Sequence, residues 1–488
     1  MASTVEKNNI TDVHDNTTND EKDQQTQPDV DLDEEYTLPE QRKIIHKVDR
    51  RLLIILGLIQ AVSFLDRANM SNAAVAGMTK DLQLGVSNRY SIILIVFFAP
   101  YVIAQYPASI LVRKIGPRIF LSSVTLLWGI IMLCFSFVQH WTSLIALRFL
   151  LGILEAGSFP GLYYLVSAWY SRFDLYKRTS VFYLIGVLGS ALGGVLGASF
   201  SQMKGLADYN GWRWIFIMEG IITCLIGMAS FIFTVDFPEQ AHKAWGFLTE
   251  SESAFIIRRL NRDRQDAEPE LFSIRKFLKP AGDWKIWIFA LMFFCSTIQA
   301  YAIGYFLPII LKEELGFTEV QANGLSTPPY VGAMLLMFVE GYLSDKIRLR
   351  YPFLYLNACM NITGLCLMVW SRSSAVQYLG TMFLTAGCSA AIPLIMAWQA
   401  NNIRGTWKRA FCSASMISFG GIGGIAGSLA FRSEDAPKYL PGIYACLTAN
   451  GVILVLGVII VLHFWIQNRR ANAEQTVIEG LIGFRYAL

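Results

Sequence analysis

Six ionisable side chains lie in stretches of the sequence that are otherwise apolar: Asp66, Arg67, Arg148, Glu155, Glu219 and Glu340. A charge at the centre of an apolar helix in a membrane costs at least ~2.5–3.5 kcal/mol on insertion scales, so such residues usually have a function. Each of the six is therefore a candidate for binding an ion or a substrate.

Two pairs of these charges are spaced so that they could act together. Arg148 and Glu155 are seven residues apart, which is two helical turns, so they share one face of a helix. Asp66 and Arg67 are adjacent and point about 100° apart, so each needs a partner on another helix. Together the two pairs predict a polar cavity between their helices.

The chemistry of these side chains suits the binding of an anion and a proton. The planar guanidinium of an arginine holds a carboxylate through two parallel hydrogen bonds. A carboxyl group in an apolar medium can bind and release a proton near neutral pH. The alternative is a static ion pair, Asp66–Arg148 or Arg67–Glu155, that only fastens two helices together.

Other polar residues are weaker candidates. Glu219 lies near the outer end of its stretch and could simply cap a helix or pair with a loop. Glu340 lies one turn before Asp345, and we expect this pair to act in a gate rather than to contact a substrate. Uncharged side chains can also orient a substrate, although ordinary contacts between helices are the alternative for each: Asn69, Gln299, Tyr301, Tyr305, Trp398 and Asn402.

The elements that position these residues are predicted to be membrane spans. The chain has 488 residues, of which 54% are hydrophobic and 16% charged, whereas an ordinary soluble domain is about 25% charged. A bilayer core of ~30 Å needs about 20 apolar residues of helix. Spans of this kind cover residues 52–78, 91–112, 119–139, 141–166, 179–203, 214–235, 286–311, 322–343, 353–371, 373–399, 410–431 and 439–466. The sequence therefore predicts an all-α polytopic membrane protein with twelve transmembrane helices.

The spans fall into two six-helix halves, residues 51–235 and 286–466, that carry matching motifs. The segment Ser109–Ile115 corresponds to Gly341–Ile347 at an offset of 232 residues. Small residues of span five recur in span eleven at an offset of 231, as Gly189, Gly193, Gly197 and Gly420, Gly424, Ser428. Duplicated halves with a site between them are a design of transporters.

Polar segments flank and join the two halves. Residues 1–50 begin with a strongly acidic stretch and are predicted to be a disordered tail, and residues 236–285 a loop with a short helix near Glu250–Arg264. With the N-terminus in the cytosol and the acidic residues 1–40 left aside, 29 Lys and Arg residues lie in cytosolic segments and 8 in outer loops. Both termini, including the tail 467–488, are therefore expected in the cytosol, and the sequons at Asn9 and Asn16 are expected to carry no glycan.

Several other classes of function have no support in the sequence. No G-x-x-x-x-G-K-[ST] loop or H-E-x-x-H motif occurs, so ATP is not the evident energy source and no zinc site is indicated. The eight cysteines lie mostly in apolar stretches without the spacing of metal ligands. We expect that the protein is not an enzyme, uses no cofactor and has no nucleic-acid partner.

Specific strings give the chain a family resemblance. Phe64–Asn69, Arg148–Gly161 and Gly211–Gly220 resemble the anion:cation symporter branch of the major facilitator superfamily. Gly341–Arg348 matches the G-x-L-x-D-[RK] loop of this superfamily, although Arg113 replaces the acid in the first copy.

Three further strings are similar to the fungal allantoate and nicotinate permease group of that branch: Asp236–Glu239, Ala397–Asn402 and Phe484–Leu488. This resemblance implies the major facilitator fold and proton-coupled import of a small organic anion across the plasma membrane by alternating access. The implied substrates are vitamin-type or ureide carboxylates of the nicotinate, allantoate and pantothenate class.

The resemblance also implies roles for particular residues. It assigns Asp66 and Glu155 to proton coupling, with Arg67 and Arg148 as their partners and as anion ligands. The expected partners are the organic anion, protons and the lipid bilayer, and the protein is expected to be monomeric.

Two other functions remain open. One is export of a secondary metabolite by proton antiport, although efflux members of the superfamily typically carry a proline in span five and residues 179–203 contain none. The other is a nutrient sensor that signals through its long tail. Uptake of a labelled substrate distinguishes a transporter from a sensor, and its direction distinguishes import from export.

Overall fold

The structure is a computed structural model that describes residues 36–86, 88–170, 172–264, 274–313, 315–404, 406–430, 439–480 and 483–488. The predictions for the acidic tail up to residue 35, including Asn9 and Asn16, lie outside the described residues. The chain forms two compact units, Met1–Val48 and Asp49–Leu488. In the first unit the structure describes residues 36–48, and the features below belong to the second.

Every regular element in these ranges is a helix. The long helices follow the order of the predicted spans and are named α1 to α12, with α4 in two segments, α4a and α4b. Their bounds are Leu38–Ala73, Arg89–Ile115, Pro117–Phe135, Trp141–Glu155 and Ser158–Trp169, Arg172–Ser201, Gly211–Phe233, Trp284–Glu313, Thr327–Ile347, Tyr351–Trp370, Ser374–Asn401, Thr406–Ala430 and Leu440–Asn472. The loop between the halves contains the predicted short helix Glu250–Arg264.

Ten of these helices are long and apolar enough to cross a membrane, when the two segments of α4 are counted together. The other two, α1 and α8, lie at the positions of predicted spans one and eight and complete two groups of six. The all-helical fold predicted from the sequence is confirmed.

The bounds differ from the predicted spans by several residues at many helix ends, and three of the differences change the interpretation. Helix α1 begins at Leu38, so residues 38–50 are helical and not part of a disordered tail. Helix α12 continues to Asn472, beyond the predicted end of the last span. The fourth span is interrupted between Glu155 and Ser158, because Pro160 has no N–H to donate to the carbonyl group of Ala156.

Close packing of α5 on α1 explains the small residues of the first half. A Cβ atom at Gly189 would overlap the carbonyl oxygen of Ala61, and one at Gly197 would lie 3.0 Å from the side chain of Asn72. The amide of Asn72 donates a hydrogen bond of 2.9 Å to the carbonyl oxygen of Gly193. The glycines therefore bring the backbone of α5 against the helix that carries Asp66.

The second half repeats this packing between α11 and α7, but with different small residues than the motif alignment predicts. A Cβ atom would overlap α7 at three positions of α11, namely Gly420, Gly423 and Gly427. Gly424 instead faces the ring of Phe98 on α2, in the other half. One face of α11 thus packs within its own half while another contacts the first half.

Hydrogen bonds join the two halves at several levels. Thr327 Oγ1 of α8 donates to the carbonyl oxygen of Ala191 on α5 at 2.8 Å. Ser71 Oγ of α1 donates to the carbonyl oxygen of Gly304 on α7 at 3.2 Å. Ser418 of α11 and Gln105 of α2 contact each other through their side-chain oxygens at 3.1 Å. A space enclosed by these contacts lies between the halves.

The packing of α5 on α1 predicts the effect of one methyl group. We expect Gly189→Ala to lower the stability of the protein by about 1–3 kcal/mol, the usual cost of overpacking, because the new Cβ overlaps Ala61. The matched control is Gly332→Ala in α8, where a Cβ would meet nothing within 4 Å. Melting midpoints of the purified variants in detergent measure the difference, and equal midpoints would contradict the close packing.

Candidate functional site

A cavity lies between the two halves and has mainly aromatic walls. Its empty space is about 850 Å³, including the part open to solvent. Eight aromatic residues line it, namely Phe64, Tyr101, Phe159, Tyr183, Phe293, Tyr301, Tyr305 and Tyr330. Ser190, Thr297 and Ser389 add hydroxyl groups, while Gly304, Gly420 and Gly421 leave room in the wall. The cavity can thus hold a small, largely flat molecule against aromatic rings.

Arg67 is the one charged residue among those that line the cavity. Phe64 lies three residues before it on α1, so the two side chains share one face of the helix, and both line the cavity. Arg67 Nη1 donates a hydrogen bond of 3.1 Å to the hydroxyl of Tyr301. The guanidinium also lies 5.4 Å from the ring centroids of Phe64 and Tyr301, within the range of cation–π attraction.

Glu155 holds the other side of the Arg67 guanidinium. The distance from Arg67 Nη2 to Glu155 Oε2 is 3.6 Å, and the side chains are 13% and 1% exposed. That distance is an ion pair but is longer than a hydrogen bond. Of the two ion pairs considered from the sequence, Arg67–Glu155 is therefore present, and it joins α1 to the end of α4a next to the cavity.

Arg148 and Asp66 lie behind the cavity wall and not in it. Both are 1% exposed, and neither is among the residues that line the cavity. The Arg148 guanidinium lies 5.5 Å from the ring centroid of Phe135, and Asp66 and Tyr305 are among its electrostatic neighbours. The expectation that Arg148 contacts a substrate directly does not fit this placement, because aromatic side chains cover it.

The structure separates the other predicted substrate ligands. Tyr301 and Tyr305 line the cavity, whereas the remaining four do not: Asn69, Gln299, Trp398 and Asn402. Asn69 is buried in the first half. Gln299 Oε1 accepts a hydrogen bond of 2.9 Å from Asn450 on α12, and Asn361 on α9 donates to Asn450 at 3.3 Å. Gln299 therefore belongs to a contact between helices, which was the alternative interpretation.

Trp398 and Asn402 bind the end of the chain itself. Asn402 Oδ1 accepts a hydrogen bond of 2.7 Å from the backbone N–H of Ala487, and Asn402 Nδ2 donates to the carbonyl oxygen of the same residue at 3.1 Å. Trp398 Nε1 donates to that carbonyl oxygen at 2.9 Å. The sequence gives no sign of this role, because the two partners are about 85 residues apart in the chain.

A cluster of charges fastens the same segment next to α7. Lys285 donates hydrogen bonds to the hydroxyl of Tyr486 at 2.6 Å and to Glu479 at 3.0 Å. Lys408 lies 2.9 Å from Asp283. Burial raises the pKa of Asp283, but Lys408 and Lys285 outweigh that effect and leave the pKa below its usual value. The contribution of Asp283 to stability is therefore present near neutral pH and is lost as the pH falls through its lowered pKa.

The two predicted gating residues have partners close by. Asp345 Oδ1 accepts a hydrogen bond of 2.7 Å from Arg350, at the start of α9. Glu340 Oε2 accepts one of 3.0 Å from Asn357. Lys177 of α5 is an electrostatic neighbour of Asp345, so this end of α8 faces the first half. The role of these residues in gating stays a prediction.

The sequence analysis did not identify most of the aromatic wall. Tyr101, Tyr183 and Tyr330 stand in the interior of α2, α5 and α8 and line the cavity. A phenol in the middle of an apolar span is a weak signal, since a buried hydroxyl usually needs a hydrogen-bond partner.

Comparisons with known proteins agree with this fold. The family model described as Major Facilitator Superfamily matches residues 56–428 and, in a second alignment, 291–480. The major facilitator-type transporter hxnP of Emericella nidulans is 30% identical over 442 residues, which are 89% of this chain and 88% of the relative. The chain belongs to the Major Facilitator Superfamily, and it is a multi-pass membrane transporter and not an enzyme.

Two further comparisons are with a transporter whose name gives its substrate and with a solved structure. The high-affinity nicotinic acid transporter of Saccharomyces cerevisiae is 28% identical over 439 residues, which cover 89% of this chain and 80% of that protein. Among solved structures, a bacterial homologue of the human lysosomal transporter Spinster, inward-facing and unoccupied, matches with a TM-score of 0.57 and 14% identity. It covers 85% of this chain and 95% of that chain, and it supports the fold alone.

The contacts of Asn402 predict that it anchors the segment 483–488. We expect Asn402→Ala to lower stability by about 1–3 kcal/mol, because the half-buried backbone of Ala487 loses two hydrogen bonds that contribute about 0.5–1.5 kcal/mol each. Hydrogen exchange at the amide of Ala487 should become faster in the same variant. Asn401→Ala, a change at the neighbouring residue, is the control, and equal protection of Ala487 in both variants would contradict the anchor.

Proposed function

We propose that this protein imports a small organic monoanion together with protons. The observation that carries the proposal is the single guanidinium of Arg67 in an aromatic cavity, with the buried carboxyl group of Glu155 3.6 Å away. The name of the Saccharomyces cerevisiae relative supports an aromatic carboxylate such as nicotinate. Ureide and pantothenate-type carboxylates belong to the same proposal.

The charge of the cavity favours a monoanion. One guanidinium in a low-dielectric space balances one carboxylate, and a second negative charge on the ligand would be buried without a partner. The phenol hydroxyls of Tyr101 and Tyr301 are both near Arg67 and can donate to the other atoms of a ligand. Aromatic rings in the wall favour a planar ligand, because stacked rings gain attraction beyond the area that they bury.

Competition for Arg67 couples the anion to a proton. When Glu155 is ionised, it attracts the guanidinium and reduces the attraction of Arg67 for a substrate carboxylate. When a proton neutralises Glu155, Arg67 can pair with the substrate instead. Asp66 and Arg148 are buried behind the wall, and their opposite charges lie next to the Arg67–Glu155 pair. Asp66 and Glu155 therefore act together in proton coupling.

The direction of coupling follows from the energetics of anion uptake. An inside-negative potential opposes entry of an anion by ~2.3 kcal/mol per charge per 100 mV. One proton per monoanion cancels this cost, and each unit of pH gradient then contributes about 1.4 kcal/mol towards uptake. Import across the plasma membrane by a monomer with cytosolic termini, through alternating motion of the two halves, completes the proposal.

The first experiment tests whether Arg67 binds the carboxylate. We expect Arg67→Lys to reduce the apparent affinity for labelled nicotinate or another transported acid by roughly one to two decades. The ammonium keeps the charge but lacks the planar pair of donors, and a lost charge-assisted hydrogen bond costs ~1.5–3 kcal/mol. In the wild-type protein, the uncharged amide of the acid should compete poorly with the labelled acid for uptake.

The measurement is initial uptake by transport-deficient yeast, corrected for the amount of protein in the membrane. Arg372→Lys, at an exposed arginine in the loop before α10, is the matched control. An Arg67→Lys variant with wild-type affinity at normal expression would remove Arg67 from the site. Equal competition by the amide would rule out an anionic substrate.

The second experiment tests proton coupling through Glu155. We expect Glu155→Gln to abolish concentrative uptake while retaining exchange of substrate across the membrane, because the amide keeps the shape of the side chain but cannot release a proton. Accumulation at several external pH values and counterflow in preloaded vesicles are compared with Glu250→Gln, an exposed change in the loop helix. Accumulation that still follows the pH gradient in Glu155→Gln would refute this role.

A further inference from the structure

Glu219 is a third buried acid of the first half, in addition to Asp66 and Glu155. It lies on α6 and is 0% exposed. Neither of its carboxyl oxygens has a hydrogen-bond partner among the described residues. The weaker roles considered from the sequence, a helix cap or a partner for a loop, do not fit a carboxyl group that is fully enclosed.

The surroundings of Glu219 connect it to the predicted coupling residues. The Asp66 carboxyl group on α1 is its electrostatic neighbour, and the Asn69 amide on the same helix lies close to it. In the part of the chain that the structure describes, the side-chain polar atoms of Asp66 and Asn69 are buried outside hydrogen-bonding geometry. The position of Glu219, eight residues after the start of α6 at Gly211, is about 12 Å along the helix from its outer end. Glu219 therefore lies on the outer side of α6 and faces the helix that carries Asp66 and Arg67.

The other charged side chains on the helices that pack against α6 lie near the ends of those helices that are farthest from Glu219. The charge on α3 is Arg118, whose backbone N–H donates to Asp236 at 3.1 Å near the cytosolic end. The charges of α5 fall between residues 172 and 178, at the start of that helix. Asp66 is thus the charged side chain that faces Glu219 from a neighbouring helix.

The cluster contains two cations and three acids, so it is neutral when one acid is protonated. Two guanidinium groups, Arg67 and Arg148, stay charged at any accessible pH, and three carboxyl groups face them or each other: Asp66, Glu155 and Glu219. An uncompensated charge in this apolar setting would be very costly. Arg67 pairs with Glu155 and Arg148 has Asp66 as an electrostatic neighbour, which leaves Glu219 as the acid without a cation.

We infer that Glu219 is a third proton-carrying residue of the transporter, which holds a proton on the outer side of the cluster and passes it to Asp66. The proton leaves a carboxyl oxygen of Glu219 and binds a carboxylate oxygen of Asp66, so Asp66 becomes the neutral acid and Glu219 is an anion only until it takes up the next proton from the outer side. The charge of the cluster does not change in this step. The inference deepens the proposed function and rests on it for the use of the proton in transport.

The test uses two variants of the full chain that differ in what they preserve. Glu219→Gln keeps the size and the neutrality of the protonated acid but cannot release a proton, and Glu219→Asp keeps the titratable group on a shorter side chain. The matched control is Ser230→Ala, eleven residues further along the same face of α6. Ser230 is also buried, and its hydroxyl only donates to the carbonyl oxygen of Ile226 in its own helix, at 2.7 Å.

The first measurement needs no substrate. Infrared difference spectra of the purified protein at a series of pH values detect the C=O stretch of protonated carboxyl groups. We expect one such band to titrate in the wild type and in Ser230→Ala, to be missing in Glu219→Gln, and to titrate at a different pH in Glu219→Asp. A spectrum of Glu219→Gln that equals the wild-type spectrum would overturn the inference. It would also be overturned if the band missing from Glu219→Gln does not change with pH in the wild type.

The second measurement follows transport at equal amounts of protein in the membrane. We expect Glu219→Gln to lower proton-driven accumulation at least tenfold while counterflow of the substrate continues, and Glu219→Asp to restore part of the accumulation with a shifted pH profile. Unchanged accumulation in Glu219→Gln would show that the residue only packs. Failure of wild-type protein to accumulate any anion would contradict the proposed function, whereas the infrared result would still decide whether Glu219 exchanges a proton.

Discussion

The ion pair between Arg67 and Glu155 is the interaction on which the site depends. A guanidinium at this depth is tolerated only because a carboxyl group, a phenol and several aromatic rings surround it. The 3.6 Å separation leaves the pair weaker than a fully hydrogen-bonded salt bridge, and a buried pair of this kind adds little to stability. A pair that is present but not tightly closed fits the proposed exchange of one anionic partner of Arg67 for another.

The packing of the two halves holds this pair at the cavity. Glycines on α5 allow it to approach α1, which carries Arg67, and glycines on α11 allow it to approach α7, which carries Tyr301. The same device in both halves places the two helices on opposite sides of one cavity, where Arg67 and Tyr301 meet at 3.1 Å. Duplication therefore explains the position of the site. Its chemistry comes from charged residues inside predicted spans one and four, since the corresponding spans seven and ten, residues 286–311 and 373–399, contain no charged residue.

The second half has a separate structural task at the ends of α7, α10 and α11 that contact the last part of the chain. Asn402 and Trp398 hold the backbone of Ala487, and Lys285 and Lys408 hold Glu479 and the residues around it. These contacts connect α7, α10 and α11 through one short segment of the chain. A half that is fastened in this way can move as a body, which alternating access requires. Polar residues that resemble a binding site in the sequence thus serve the rigidity of the half instead.

The sequence alone determined the class of fold and the chemistry of the cluster, because both follow from local properties. Uncharged stretches of bilayer length define the helices, and the cost of burying a charge identifies Asp66, Arg67, Arg148 and Glu155 whatever surrounds them. Only the tertiary structure decided which of these residues reach the cavity, since adjacent residues of a helix point about 100° apart and one can face the cavity while its neighbour is covered. Arg67 faces the space and Arg148 lies behind its wall. The partners of Asn402 and Trp398, and the unpaired state of Glu219, depend on contacts between distant parts of the chain, which no local pattern contains.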